Sequence, residues 1–219
     1  MNIRTHFGNL QEDRRKLPEG WRWVKLSTVA EINPRRPSNF IRTDRAPTTF
    51  VPMSAIDERT GQITNSELRS YHEVKKGYTY FAEGDVLFAK ITPCMQNGKH
   101  AIAKELMDGI GFGSTEFHVI RAGTEITAEW IHYFIRQPKI LLSATTYFTG
   151  AVGQQRVPEE YLASLEVPLP PLPEQKRIAA ILNEQMAVVE SARLNTEAQL
   201  DAISKLPAAI LRQAFNGEL

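Results

Sequence analysis

Three groups of side chains in this sequence have the chemistry to grip phosphates or to hydrogen-bond the edges of bases. Between Asn33 and Arg45 lie Arg35, Arg36, Arg42 and Arg45 against one acid, Asp44, with Pro34, Pro37, Ser38 and Asn39 among them. A guanidinium is a planar fork of donors, suited to bidentate contact with a phosphate or a guanine edge. Around CMQNG, the amides of Gln96 and Asn97 can pair with adenine, beside Lys90, Thr92 and Lys99, which suit phosphates. In TGAVGQQR, Thr149, Gln154, Gln155 and Arg156 make a glycine-rich polar loop that Ser114, Thr115 and Glu116 could join. Each group also has a plainer reading. A basic loop can be solvated surface, Asn97-Gly98 is a good hairpin turn by itself, and glutamines in loops often face only water.

No catalytic constellation assembles from the rest. Cys94, the one cysteine, follows a proline and has no adjacent histidine, so a small buried or half-exposed thiol is expected rather than a nucleophile. One cysteine also excludes an intrachain disulfide and a multi-cysteine zinc site. His6, His72, His100, His118 and His132 are scattered, with no HExxH, so no metal site is expected. In GIGFGS the third glycine comes one position too early for GxGxxG, and a strand rather than a helix is expected to follow. There is no GxxxxGK[ST] phosphate loop either. The chain is expected to be non-catalytic, with no cofactor of its own.

The elements that must hold these loops are legible in outline. The 219 residues allow one good-sized domain and an appendage, and 42% hydrophobic with 23% charged residues is ordinary globular composition. No apolar run approaches the roughly 18 residues of a membrane span, and no apolar signal-peptide core opens the chain, so no membrane role and a cytoplasmic location are expected. Twenty-six Lys+Arg against 25 Asp+Glu leave a net charge of +1, far from the basic balance of many nucleic-acid binders. Short β-branched and aromatic runs bounded by turn residues predict strands at 21–26, 49–53, 85–91, 100–104 and 116–121. Thr127 reads as the N-cap of a helix that buries Trp130, Ile131, Phe134 and Ile135, and Pro158 as the first residue of another with Glu159 and Glu160 in its first turn.

At VPLPPLPEQ the composition changes, because Pro168, Pro170, Pro171 and Pro173 make a stiff extended connector that cannot sit in a helix or a central strand. The boundary falls between 1–172 and 173–219. From Pro173 to about Phe215 the residues are strong helix formers, on the order of 60 Å of rod if continuous. Ile178, Leu182, Val189, Ala192, Leu200, Ile203 and Ile210 fall near a three-and-four alternation, interrupted at Gln185 and Thr196. This reads as a seam for a second helix; a helix folded back on its own domain is the alternative. Pro207 is expected to break the rod near Leu206 and leave a short separate helix ending at Gly217. The predicted fold class is α+β: a mixed, strand-rich domain followed by a long coiled-coil-forming helix.

LPEGWRWVKLSTVAEI at 17–32, EGDVLFAKITPCMQNGKHAIA at 83–103, GFGSTEFHVIRAG at 111–123, TGAVGQQRVPEEYLASLEVPLPPLPEQKRIAAIL at 149–182 and the terminal AILRQAFNGEL together resemble the specificity subunits of type I restriction-modification systems. The resemblance implies a target-recognition domain that binds double-stranded DNA, and a helix that serves as spacer and docking surface. It implies methyltransferase and restriction subunits as partners, with S-adenosylmethionine, ATP and Mg on those partners. Members commonly carry two recognition domains and two long helices. This chain has one of each and resembles a half subunit, so the resemblance implies a homodimer through the C-terminal helices. The family's base-contacting loops vary with target, so the resemblance assigns no reading residue. An assembly or inhibitory protein that oligomerises through its helix without reading DNA is the other reading, and near-neutral charge favours it.

Overall fold

The computed structural model describes residues 16–218 apart from Val152; His6 lies outside the described residues. The strands form three sheets. β1 (Arg22–Lys25) pairs antiparallel with β10 (Glu166–Leu169). An antiparallel sheet has the order β2 (Ala30–Ile32), β9 (Phe117–Ala122), β6 (Val86–Ala89), β7 (His100–Ile102). A mixed sheet has the order β4 (Glu67–Ser70), β3 (Pro47–Val51), β8 (Ile110–Gly113), β5 (Thr79–Ala82), with β3 and β8 parallel. The helices are α1 (Leu26–Val29), α2 (Tyr71–Val74), α3 (Ala128–Ile135), α4 (Pro138–Thr145), α5 (Glu159–Ser164) and α6 (Leu172–Asn216).

Side-chain alternation along the strands stacks these elements. In β6, Val86 and Phe88 face one core with Leu26, Ile131, Ile135, Leu162 and Val167, whereas Leu87 and Ala89 face a second with Val51, Phe81, Phe117 and Val119. The antiparallel sheet is therefore covered by helices on one face and by the mixed sheet on the other, which is why β6 is apolar at every position. A third cluster, Phe50, Tyr71, Val74, Ile110 and Phe112, covers the outer face of the mixed sheet, with Phe40 packed against it.

GIGFG turns out to be β8 itself. Ile110 and Phe112 face the third cluster, and the ring of Phe81 lies over Gly111, where a Cβ would come within 2.3 Å of it. At Gly113 a Cβ would come 2.6 Å from the Val51 carbonyl oxygen. These glycines serve close packing of ring and backbone. The five predicted strands form with ends shifted by a few residues; β2, β4, β5, β8 and β10 are additions. Thr127 caps α3 by accepting from Trp130 N at 3.2 Å, as its position predicts. Pro158 is the N-cap of α5 rather than its first residue. Of the proline run, Pro168 sits in a two-stranded sheet where no central ladder is lost, and Pro173 occupies the first turn of α6.

Proline and glutamine in the PLPEQ segment bind the start of α6 to the domain. Gln175 is fully buried: its Oε1 accepts from Thr127 N at 2.9 Å, and its Nε2 donates to Glu125 O at 2.8 Å and Pro170 O at 2.9 Å. Trp130 Nε1 donates to Pro168 O at 2.9 Å, and Trp21 packs edge-on against Trp130 with centroids 5.5 Å apart. The compact contacts divide at Ala179/Ala180, so residues 180–219 form a second unit.

Within that unit the helix does not break. Pro207 lies inside α6, which runs to Asn216. The proline leaves the carbonyl of Ile203 without its helical donor, but that turn is exposed, water can take the lone pair, and Lys205, Leu206, Ala208 and Ala209 all favour helix. The end is as the sequence predicts: Gly217 adopts φ 73°, its N–H donates to Ala214 O, and Glu218 N donates to Gln213 O at 2.9 Å, the two bonds of a Schellman cap.

Three buried histidines give the domain an acid limit. His100 Nδ1 accepts from Ala89 N at 3.1 Å, so its proton sits on Nε2, and the ring stacks on Phe88. Burial, with Arg136 nearby, pushes both His100 and His132 down to about 3, and burial lowers His118 as well. Their ordinary unfolded value is about 6.5. Below that value the unfolded chain binds protons that the folded one does not, so stability is fully present above pH 6.5 and is lost as pH falls. Between pH 6.5 and 5 the carboxylates stay ionised in both states, and each of His100 and His132 should remove up to about 1.4 kcal/mol per pH unit. Urea unfolding at several pH values should show this slope, and His132→Leu should reduce it by one proton.

Candidate nucleic-acid interface

Two members of the second polar group, Lys90 and Thr92, lie against the third. The chain after β6 and the loop before α5 run side by side: Val157 N donates to Lys90 O at 2.9 Å, Thr92 N to Gln155 O at 2.9 Å, and Gln155 N to Thr92 Oγ1 at 3.2 Å. Thr149 and Arg156 exchange backbone bonds of 3.0 and 2.9 Å, closing the GAVGQQ loop at its neck. Lys90 N donates to Glu116 O at 2.9 Å, and Ser114 Oγ accepts from Glu116 N at 3.2 Å. Lys90, Thr92, Ser114, Thr115, Thr149, Gln154, Gln155 and Arg156 thus share one neighbourhood. Thr115 and Gln154 are exposed, and Lys90, Thr92 and Gln155 are half-buried.

Gln96 and Asn97 are exposed on a connection that spans 90–99. Asn97-Gly98 is not a two-residue hairpin: Asn97 N bonds Pro93 O, Gly98 N bonds Met95 O, and the Thr92-Pro93 peptide is cis. Arg136 from the end of α3 pins this connection, donating to Gly98 O at 3.0 Å and His100 O at 3.3 Å, and to Glu58 O and Arg59 O at 3.1 and 2.7 Å. Lys99 Nζ donates to Ile56 O at 2.8 Å, so it holds the loop in place as well as carrying charge.

The four arginines of the basic loop divide into two kinds. Arg42 is almost wholly buried at the side chain and bonds Thr48 Oγ1 at 2.9 Å, Pro47 O and Asp108 Oδ2. Arg36 donates to Tyr71 Oη at 2.7 Å and lies over Phe40. Arg35 and Arg45 are exposed, with no side-chain partner among the described residues. Two of the four are therefore structural.

Asn33 joins the root of this loop to the other surface. It takes φ 52°, tolerable for asparagine. Its Oδ1 accepts from Val119 N at 3.0 Å; its Nδ2 donates to His118 Nδ1 at 3.1 Å and to Glu159 Oε2 at 2.6 Å. His118 Nε2 in turn donates to Val157 O at 2.9 Å, which fixes the neutral tautomer and agrees with its lowered proton affinity. One amide therefore binds the basic loop, β9, α5 and the neck of the QQR loop. Sequence reasoning missed this node; the Asn-Pro dipeptide marks a turn, but nothing local marks His118 as its partner.

Arg156 and Glu116 form a fork-to-fork pair, Nε to Oε2 at 2.9 Å and Nη2 to Oε1 at 2.6 Å, and Arg156 Nη1 also reaches Gln154 O at 3.1 Å. The guanidinium holds the carboxyl below its usual range, so Glu116 is ionised near neutrality. Arg156 is thus engaged inside the protein rather than waiting for a phosphate.

A family model described as the type I restriction modification DNA specificity domain matches residues 18–200. The chain belongs to that family. The specificity domain is 38% identical over 205 residues to the EcoEI specificity subunit of Escherichia coli and 36% identical over 197 residues to the EcoAI specificity subunit of the same organism. These matches cover 92% and 90% of the chain but 34% and 33% of the relatives, so the chain spans about a third of their length. The crystal structure of the HsdS subunit from Thermoanaerobacter tengcongensis superposes with a TM-score of 0.66 at 27% identity, over 92% of this chain and 50% of that one. The α+β architecture is that of the family.

Replacing the node should disturb every segment it joins. Asn33→Ala leaves the Val119 N–H unpaired and puts alanine at positive φ, and should cost about 2–4 kcal/mol in urea unfolding. Protection of amides in 149–157 from hydrogen exchange should fall as well; unchanged protection there would show that Asn33 does not bind the loops together.

Proposed function

We propose that this specificity domain reads one half of a bipartite DNA site and delivers it to methyltransferase and restriction subunits. The observation that carries the reading is that the roots of the three polar loops are tied to one another through Asn33, His118 and Val157 in a member of this family. Side chains on these loops supply every kind of contact that duplex reading needs: amides at Gln96, Asn97, Gln154 and Gln155, hydroxyls at Thr92, Ser114, Thr115 and Thr149, and cations at Lys90 and Lys99. Arg35 and Arg45 are the cations of the basic loop without a side-chain partner among the described residues and suit phosphates, while Arg36, Arg42 and Arg156 support the loops. S-adenosylmethionine, ATP and Mg belong, on this reading, to the partner subunits.

Residues 173–219 supply pairing. Val189, Leu200, Ile203 and Ile210 are each more than half exposed, and Ala192 is exposed too. Ile178 is half-buried against the domain's own core and Leu182 is half-buried, so the free seam starts beyond them. Beyond them Met186, Val189, Arg193, Thr196, Leu200, Ile203, Pro207 and Ile210 follow steps of three and four. Arg193 on that line is bound to Glu190 and Glu197 of its own helix, which neutralises its charge. A second copy presenting the same line would make a two-fold pair that reads two inverted half-sites.

Selection from random duplexes should enrich an inverted, interrupted motif, and light scattering with DNA present should give a dimer; no enrichment favours the assembly reading, and a strict monomer removes the pairing. Arg35→Ala and Arg45→Ala should each reduce the salt slope of binding by about 0.9. Arg42→Ala should instead lower thermal stability.

A further inference from the structure

The acid at the centre of the interface is out of place for a surface that meets a polyanion. Glu116 sits beside the QQR loop with about a quarter of its side chain exposed. Its backbone is pinned on both sides, N–H to Ser114 Oγ and carbonyl to Lys90 N. Its carboxylate is held by two bonds from Arg156, with Lys90 near enough to help keep it ionised. A structural ion pair in the same domain looks different: Asp85, paired with Arg121, is 2% exposed and also accepts from Ala82 N, so nothing outside can reach it. The pair at Arg156 is open to solvent, and such pairs add little to stability.

We propose that Glu116 is a specificity-determining residue that reads an exocyclic amine of a base, with Arg156 as the residue that positions it. The proposal rests on the DNA-reading function above and names one of its contacts. Each carboxylate oxygen has two lone pairs; Arg156 takes one from each oxygen, and the outer pairs remain available. An ionised carboxylate only accepts. In the major groove it can therefore bond the N4 amine of cytosine or the N6 amine of adenine, and it opposes the O6 of guanine and the O4 of thymine. Repulsion from phosphates makes the same group a poor ligand for arbitrary duplex, so discrimination is gained where bulk affinity is not. The two cations beside it offset that repulsion once the matching base is in place.

The test is parallel selection on random duplexes with the full chain, as wild type, Glu116→Gln and Glu116→Asp. The wild type should show one position per half-site restricted to cytosine or adenine. Glu116→Gln, whose amide can also donate, should admit guanine or thymine at that position alone, with preference there reduced at least about fivefold, the low end for one base contact. It should also bind a duplex without the motif more tightly. Glu116→Asp, still acceptor-only, should keep the cytosine or adenine preference at lower affinity. A uniform loss across all positions with Glu116→Gln, or an unchanged motif, would show the pair to be only a clasp and overturn the proposal. If the wild type itself enriched no sequence, the DNA-reading function would fail first, and this contact with it.

Discussion

The side chain of Asn33 has one acceptor oxygen and two donor hydrogens, and the loops of the interface are arranged around where these go. Val119 N, His118 Nδ1 and Glu159 take all three. The two neutral bonds contribute on the order of 1 kcal/mol each net, and the one to the Glu159 carboxylate about 1.5–3 kcal/mol. Their effect is positional. His118 passes the constraint to Val157 O, Val157 N to Lys90 O, and Lys90 N to Glu116 O, so a short relay of backbone and ring bonds sets four segments from distant parts of the sequence against one another. A base edge is told apart by donors and acceptors that must lie within a few tenths of an ångström of their places. Loops tied only by solvated side chains could not hold that tolerance.

The net charge of the chain is only +1. Many of its cations are spent on the protein itself. Arg42 closes the basic loop, Arg136 gathers four backbone carbonyls, Arg121 pairs with Asp85, and Arg156 with Glu116. Guanidinium suits this work because one planar group can satisfy several carbonyl or carboxylate oxygens at once.

How much of this could be read in advance depended on whether the partner was near in sequence. The Thr127 cap and the end of α6 at Gly217 rest on relations within a few residues, and both stand in the structure. The roles of Arg36, Arg42 and Arg156 do not, because Tyr71, Asp108 and Glu116 reach them only through the fold. Strand β8 was hidden for the same reason: its glycines are needed by the ring of Phe81, thirty residues earlier in the chain. Pro207 was misjudged in the other direction. A local rule about proline holds for its missing bond but not for the element, since about 3 kcal/mol of local cost is carried by a 45-residue helix whose carbonyl there is open to water.

Two of the segments that carry the family resemblance, LPEGW and PLPEQ, meet in space. Trp21 packs on Trp130, Trp130 donates to the carbonyl of Pro168, and Gln175 joins Pro170, Glu125 and the cap residue Thr127. A fully buried amide with all its bonds made cannot be replaced without leaving a backbone group unpaired, so any apolar residue at 175 would cost more than it gains. The consequence is that the first turns of α6 belong to the domain's core, as Ile178 and Ala179 also show by packing there. A buried glutamine fixed at three points therefore ties residues 172–179, the part of α6 that lies within the domain's own compact unit, to the α3 cap and the turn before it.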